Sequence, residues 1–310
     1  MMIVRSKHFV FVLEDPLRQY RRESQCKVNF FHYIRSLTPW QDHREYRSLS
    51  IYHVMVSVSF IFLFFLFMPA GAAAENKKDI IASVHVPILL YHRFGPAAVD
   101  STTVTTPVFE SHLEYLRRNG YTVIPLRQLV NYYLRKGPPP PQKSVVIVAD
   151  DGHKTVYAYM LPLVKKYRIP VTLFIYPSAI SNASYAMTWD QLREIKKTGL
   201  FDIQGHTYWH PNFGKERNKM KPAEYEKFVD MQLIKSKNRL EKELGTKVDM
   251  LAWPFGISDE LLIEKAAKAG YIAAFTIERR HAGSSENIMK LPRYLLNNSH
   301  KGKVFENIIK

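Results

Sequence analysis

From about residue 85 onward, apolar and polar positions come in alternating blocks. Short apolar runs read as strands: "VPILLYH" (86–92), "YTVI" (121–124), "SVVIVAD" (144–150), "PVTLFIY" (170–176), "LFDIQGH" (200–206), "KVDMLAWP" (247–254) and "YIAAFTI" (271–277). Each is too short for a helix and is bounded by turn-forming or charged residues. Between them the period changes to that of a helix. In "TPVFESHLEYLRRNG" (106–120), Phe109, Leu113 and Leu116 share one face and Gly120 is the stop. Further helices are predicted over 126–137, 154–167, 188–199, 222–244 and 258–270. Thr188 is the N-cap of the fourth. Val229, Leu233, Leu240 and Leu244 form the stripe of the fifth. Strands alternating with helices predict a parallel sheet or barrel. Seven units in about 225 residues favour barrel closure over two domains. "GPPPP" (137–141) is a stiff connector inside that domain.

The front of the chain follows another pattern. Val54 to Met68 is 15 residues without a charge, and the uncharged stretch runs on through small residues to Ala74. Residues 54–74 therefore read as a signal peptide or membrane anchor. Residues 1–53 read as a basic leader, either cytoplasmic or upstream of the real start, with the positive-inside rule favouring that orientation. The domain over 75–310 is then expected to be extracellular or at the cell surface, secreted or tethered. Net charge is +16, and the first 74 residues hold only nine of the 44 Lys and Arg. The body is thus basic itself, which suits an anionic neighbourhood. Cys26 is the one cysteine. A disulfide framework, a cysteine zinc site and a thiol nucleophile are excluded from the body.

In a barrel the loops after the strand C-termini build the site. Titratable residues gather at those ends here: His92 after "PILLY", Asp150 and Asp151 after "VVIVA", His206 and His210 in "GHTYWH", Trp253, Pro254 and Phe255 after "DMLA", and Arg293 in "LPRY". Two imidazoles at i, i+4 lie on one face of a helical turn, and one carboxylate completes a His₂Asp set with open positions. Adjacent strand residues point in opposite directions. One of Asp150 and Asp151 can then bind a cation while the other faces a reacting water. A zincin needs Glu directly after its first His, and Thr207 stands there.

Taken together, these stretches resemble the polysaccharide deacetylases of carbohydrate esterase family 4, the NodB-like family. Its Thr-Phe-Asp-Asp-Gly motif is here "VADDG", its His-Ser/Thr-x-x-His motif "HTYWH", and its Arg-x-Pro-Tyr/Phe-Gly motif "AWPFG". The front, "VPILLYHRFGP", looks most like the branch acting on biofilm poly-β-1,6-N-acetylglucosamine. The resemblance implies a distorted (β/α)₇ barrel of the NodB type and metal-dependent hydrolysis of N-acetyl groups. The expected substrate is an acetylated amino-sugar polymer: poly-N-acetylglucosamine, peptidoglycan or a chitin-like chain. It gives Asp150 the role of general base and Asp151, His206 and His210 the role of metal ligands. The metal is expected to be zinc, with cobalt, nickel or iron also suited to the set. Trp253, Pro254, Phe255, Arg293 and His92 are candidates for substrate or oxyanion contacts.

Two departures stand out. The third-motif Arg falls on Ala252, and Arg293 is the candidate replacement from another loop. The late Leu-x-Leu-x-His motif, which supplies the general acid, is not found, since His281 and His300 both lie in polar surroundings. A carbohydrate-binding barrel without catalysis is the competing reading, but binding alone has no need of Asp150. Nucleic acid is not an expected partner, because it would explain the charge but not the export segment. The membrane is one if 54–74 stays uncleaved. A monomer is expected.

Overall fold

The computed structural model describes residues 84–310. The leader over 1–53 and the apolar segment over 54–74 lie outside the described residues. Among the described residues, no helix is long and apolar enough to cross a membrane.

Seven strands make the central sheet: β1 (Ile88–Tyr91), β2 (Ser144–Asp150), β3 (Val171–Ile175), β4 (Phe201–Gly205), β5 (Met250–Ala252), β6 (Ala273–Phe275) and β7 (Tyr294–Leu295). They run in the order β7-β1-β2-β3-β4-β5-β6, and every pairing is parallel. The two edges meet through one bent segment. Leu291 bridges Phe275 of β6, and three residues later Tyr294 pairs with Leu89 of β1. The result is the distorted (β/α)₇ barrel. Among the described residues, eight helices accompany it: α1 (Thr106–Arg118), α2 (Leu126–Tyr133), α3 (Leu161–Tyr167), α4 (Trp189–Lys197), α5 (Phe213–Arg217), α6 (Pro222–Leu244), α7 (Glu260–Lys268) and α8 (Lys303–Ile309).

The strand period sorts side chains between two cores. Val145, Ile147 and Ala149 of β2 pack with the outer helices. Val146 and Val148 pack instead with Phe174, Ala252 and Phe275 around the barrel axis. Asp150 continues that inward set at the strand's last position. Thr188 caps α4 as expected: its hydroxyl accepts from Gln191 N at 3.2 Å, and Gln191 Oε1 accepts from Thr188 N at 2.9 Å.

Two predicted elements came out differently. "YTVI" contributes only Thr122–Val123, which pairs with Ser144 and Val145 at the foot of β2, off the barrel path. Pro125, with no N–H to give a ladder, starts α2 there instead. The seventh barrel strand is the two-residue β7. The helix over 154–167 opens with a π-turn at Val156–Met160, because Pro162 has no N–H for the Ala158 carbonyl.

The C-terminal helix is held by one buried imidazole. His112 of α1 accepts from the Tyr91 hydroxyl at 2.9 Å, donates to the His300 carbonyl and stacks on Phe305 at 3.9 Å. Burial pushes it down from 6.5 to about 4. In that window the unfolded chain binds a proton that the fold does not, so stability rises with pH across it and is lost as pH falls. Thermal unfolding midpoints should therefore drop between pH 6.5 and about 4. The drop should be shallower in His112→Gln; equal slopes in the two proteins would contradict this assignment.

Candidate active site

The three sequence motifs meet at the C-terminal mouth of the barrel. Asp150 ends β2 and is 1% exposed. Asp151 then takes a left-handed φ of 73°. That turn changes the expected geometry. The two carboxylates do not point to opposite sides, because His206 Nε2 lies 3.7 Å from Asp150 Oδ2 and 3.6 Å from Asp151 Oδ1. Gly152 follows at φ 76°, where a Cβ would come within 2.9 Å of Ile175 Cδ1.

A buried arginine separates the environments of the pair. Arg293, fully buried between β6 and β7, donates from its two terminal nitrogens to Asp150 Oδ1 at 2.9 Å and Oδ2 at 3.0 Å. Its Nε donates to the Thr276 carbonyl at 3.0 Å, and the guanidinium lies over the Phe174 ring. Burial alone would raise the Asp150 carboxyl, but Arg293, His206 and His92 together hold it below the usual range. Asp151 has no such fork. Burial and the neighbouring Asp150 charge push it up, and its Oδ1 is buried without a hydrogen-bond partner.

The imidazoles face that orphaned oxygen. His206 donates from Nδ1 to the Ala252 carbonyl at 2.7 Å, which leaves Nε2 with its lone pair toward Asp151. His210 Nε2 lies 3.7 Å from the same Asp151 oxygen. Burial pushes His206 down to about 3 and lowers His210, which favours the neutral form of both rings. The three donor atoms lie within 4.8 Å of one another. Two neutral imidazoles and a destabilised carboxylate fit a divalent cation with positions left open. The loop carrying them is not the expected helical turn. Thr207 and His210 have φ of 61° and 60°, and Pro211 disfavours helical geometry at His210.

A family model described as polysaccharide deacetylase matches residues 137–274, the segment that carries β2 through β5, all but the last residue of β6, and all three motifs. The chain carries a polysaccharide deacetylase domain. Its curated relatives include the poly-β-1,6-N-acetyl-D-glucosamine N-deacetylase of Staphylococcus aureus strain MRSA252. The two are 27% identical over 244 residues, 77% of this chain and 82% of the relative. The enzyme of the same name from Staphylococcus epidermidis is 26% identical over 266 residues, 78% and 88% of the two chains. Among solved structures, the deacetylase PplD of Streptococcus pyogenes, in complex with acetate, shares the fold at TM-score 0.66 and 20% identity. That match covers 73% of this chain and 99% of the other. IcaB from Ammonifex degensii does so at TM-score 0.64 and 23% identity, covering 73% and 97%.

Several candidates sit elsewhere than the deacetylase motifs suggest. Trp253 is fully buried and donates from Nε1 to the Met289 carbonyl at 2.9 Å, so its face is closed to a sugar ring. Pro254 is buried beside it. Phe255, at φ 57°, is 57% exposed and packs against His210 with centroids 4.7 Å apart. His281 bonds the Ile308 carbonyl and His300 accepts from Asn297 N. His92 directly follows β1, and its Nδ1 is buried without a partner. The Leu-x-Leu-x-His pattern sought near the chain's end has a counterpart at its front, Ile88-x-Leu90-x-His92. Because β7 and β1 are neighbours, either end of the described residues reaches this side of the mouth. Tyr176 is an addition that sequence reasoning missed. It directly follows β3, meets His210 at 5.3 Å and shares a 2.8 Å hydrogen bond with the Tyr185 hydroxyl.

Removing the guanidinium would leave Asp150 a buried, unpaired charge. Arg293→Met should lower the unfolding free energy by about 3–5 kcal/mol. Adding Asp150→Asn should recover most of that loss. Denaturant titration of both variants checks this, and additive losses would contradict the pairing.

Proposed function

We propose that this deacetylase domain acts outside the cytoplasm on poly-β-1,6-N-acetylglucosamine, hydrolysing N-acetyl groups to acetate and leaving free amines. The curated staphylococcal relatives carry that activity in their names and align along most of both chains. The observation that carries the mechanism is the division between two adjacent carboxylates. Asp150 is claimed by Arg293, and Asp151 is left facing two neutral imidazoles.

In this reading Asp151, His206 and His210 hold a divalent cation, zinc in the first instance. When bound, such a cation polarises the amide carbonyl and makes water more acidic. Asp150 is the general base. The Arg293 fork keeps it ionised and fixes its plane, and Oδ2 is the oxygen nearer His206. It takes the proton as water attacks the carbonyl carbon. The backbone N–H of Phe255, on the turn packed against His210, stabilises the tetrahedral oxyanion. His92 supplies the proton to the departing sugar nitrogen, since it lies within electrostatic reach of both carboxylates and its Nδ1 is unclaimed. The exposed rings of Phe255 and Trp209 offer stacking faces to the polymer. Residues 54–74 deliver the domain outside as a signal peptide or hold it at the membrane surface.

Acetate release from poly-β-1,6-N-acetylglucosamine and from chitin oligomers tests the reading, with added Zn²⁺ and with a chelator. Release should be metal-dependent, faster on the β-1,6 polymer, and abolished in Asp150→Asn. His92→Gln should lower kcat by about 10²–10⁴-fold with KM little changed. Release that persists in the chelator, or an unaltered kcat in His92→Gln, would overturn the respective assignment.

A further inference from the structure

The two imidazoles are four residues apart, yet no helical turn joins them. Something else must fix the backbone between them. Tyr208 N and Trp209 N both donate to one atom, Oε1 of Gln232, at 3.1 and 3.0 Å. The next N–H, that of His210, goes to the Thr207 hydroxyl at 3.2 Å. From the other side the Tyr208 carbonyl accepts from Ser178 N at 3.1 Å. Gln232 itself is fully buried in the middle of α6, between the apolar residues Val229 and Leu233. A carboxamide in an apolar stripe is costly unless it is hydrogen-bonded. Here its oxygen spends both lone pairs on the segment that separates the two histidines. Its amide nitrogen reaches only the Met231 sulfur, at 3.9 Å.

His206 has a second anchor, the Ala252 carbonyl on its Nδ1. His210 is placed by its backbone and by the flanking rings of Tyr176 and Phe255. The segment Tyr208–Trp209 therefore sets where His210 stands relative to His206. Its left-handed neighbours Thr207 and His210 are conformations that persist only when the surroundings over-determine them.

We infer that Gln232 is a positioning residue for the cation site. It replaces the hydrogen bonds a helical turn would have made and so holds His210 at ligating distance from Asp151 and His206. This rests on the cation site proposed above. Partners that orient metal ligands in this way typically carry about 10–100-fold in metal affinity.

The test uses the full chain and Zn²⁺ alone, with the dissociation constant read by competition against a chromophoric chelator and the metal-free melting temperature read beside it. Gln232→Leu removes the acceptor and should weaken Zn²⁺ by about 10–100-fold. Gln232→Glu keeps an acceptor for both N–H groups and should stay near the wild-type constant. If Gln232→Leu does not fold, Gln232→Asn, which withdraws the oxygen by one methylene, should weaken Zn²⁺ in the same direction. His210→Ala separates the two claims. Zn²⁺ binding that is lost in His210→Ala but unchanged in Gln232→Leu or Gln232→Asn overturns the positioning role and leaves the site standing. Binding that does not depend on His210 overturns the site and the positioning role together. A lowered melting temperature with an unchanged Zn²⁺ constant marks Gln232 as a packing residue and also overturns the inference.

Discussion

The buried ion pair between Asp150 and Arg293 is the constraint on which the rest of the site depends. Two neighbouring carboxylates at the end of a buried strand cannot both stay ionised without compensation. The Arg293 fork compensates one of them fully, with both oxygens engaged and both residues out of solvent. That leaves Asp151 as the carboxylate in want of a charge, facing two lone pairs. Arg293 arrives there because the barrel closes through the bend from Leu291 to Leu295, which pairs with β6 at one end and β1 at the other. Barrel closure and the division of labour between the carboxylates are thus one structural event. Breaking the pair would cost stability and, in the proposed mechanism, the base together.

The site also concentrates backbone strain. Asp151, Thr207, His210 and Phe255 all have left-handed φ without being glycine. Each lies in one of the three motifs, and each aims a side chain that a regular strand or helix would have sent elsewhere. Such conformations cost of order 1–3 kcal/mol each and need support. Support comes from rigid elements nearby: Gln232 on α6, Ala252 at the end of β5, and the packed ring of Phe255. The fully buried Trp253 anchors the third motif to the core through Met289, so the neighbouring Phe255 can turn outward.

Much of this is legible in the sequence, for reasons that can be named. The run from Ser144 to Asp150 announces a buried strand because its period and length are unambiguous, and Thr188 announces a helix start because a capping box is local chemistry. Asp150, Asp151, His206 and His210 stand out as polar residues at the ends of apolar runs. What is not legible depends on contacts distant in sequence. β7 is two residues long and carries no period, and "YTVI" looks like a better strand than it is. The i, i+4 spacing of His206 and His210 suggests a helix, but Pro211 and the distant Gln232 decide otherwise. Arg293 is legible as a candidate replacement for the third-motif Arg, but its two-pronged contact with Asp150, 143 residues away, is not. His92 is legible as a strand-end residue, but its likeness to the late Leu-x-Leu-x-His motif is hidden by its place at the front of the domain, because chain order does not reveal that β1 lies beside β7.

The most direct test of the central claim is a crystal structure of the protein grown with Zn²⁺, with the metal located by its anomalous scattering. The account predicts one ion at about 2.0–2.2 Å from Asp151, His206 and His210. Asp150 should remain outside the ligand set with its Arg293 fork intact. An ion bound by Asp150 in place of Asp151, or a fork opened to let Asp150 ligate, would contradict the division of roles on which the account is built.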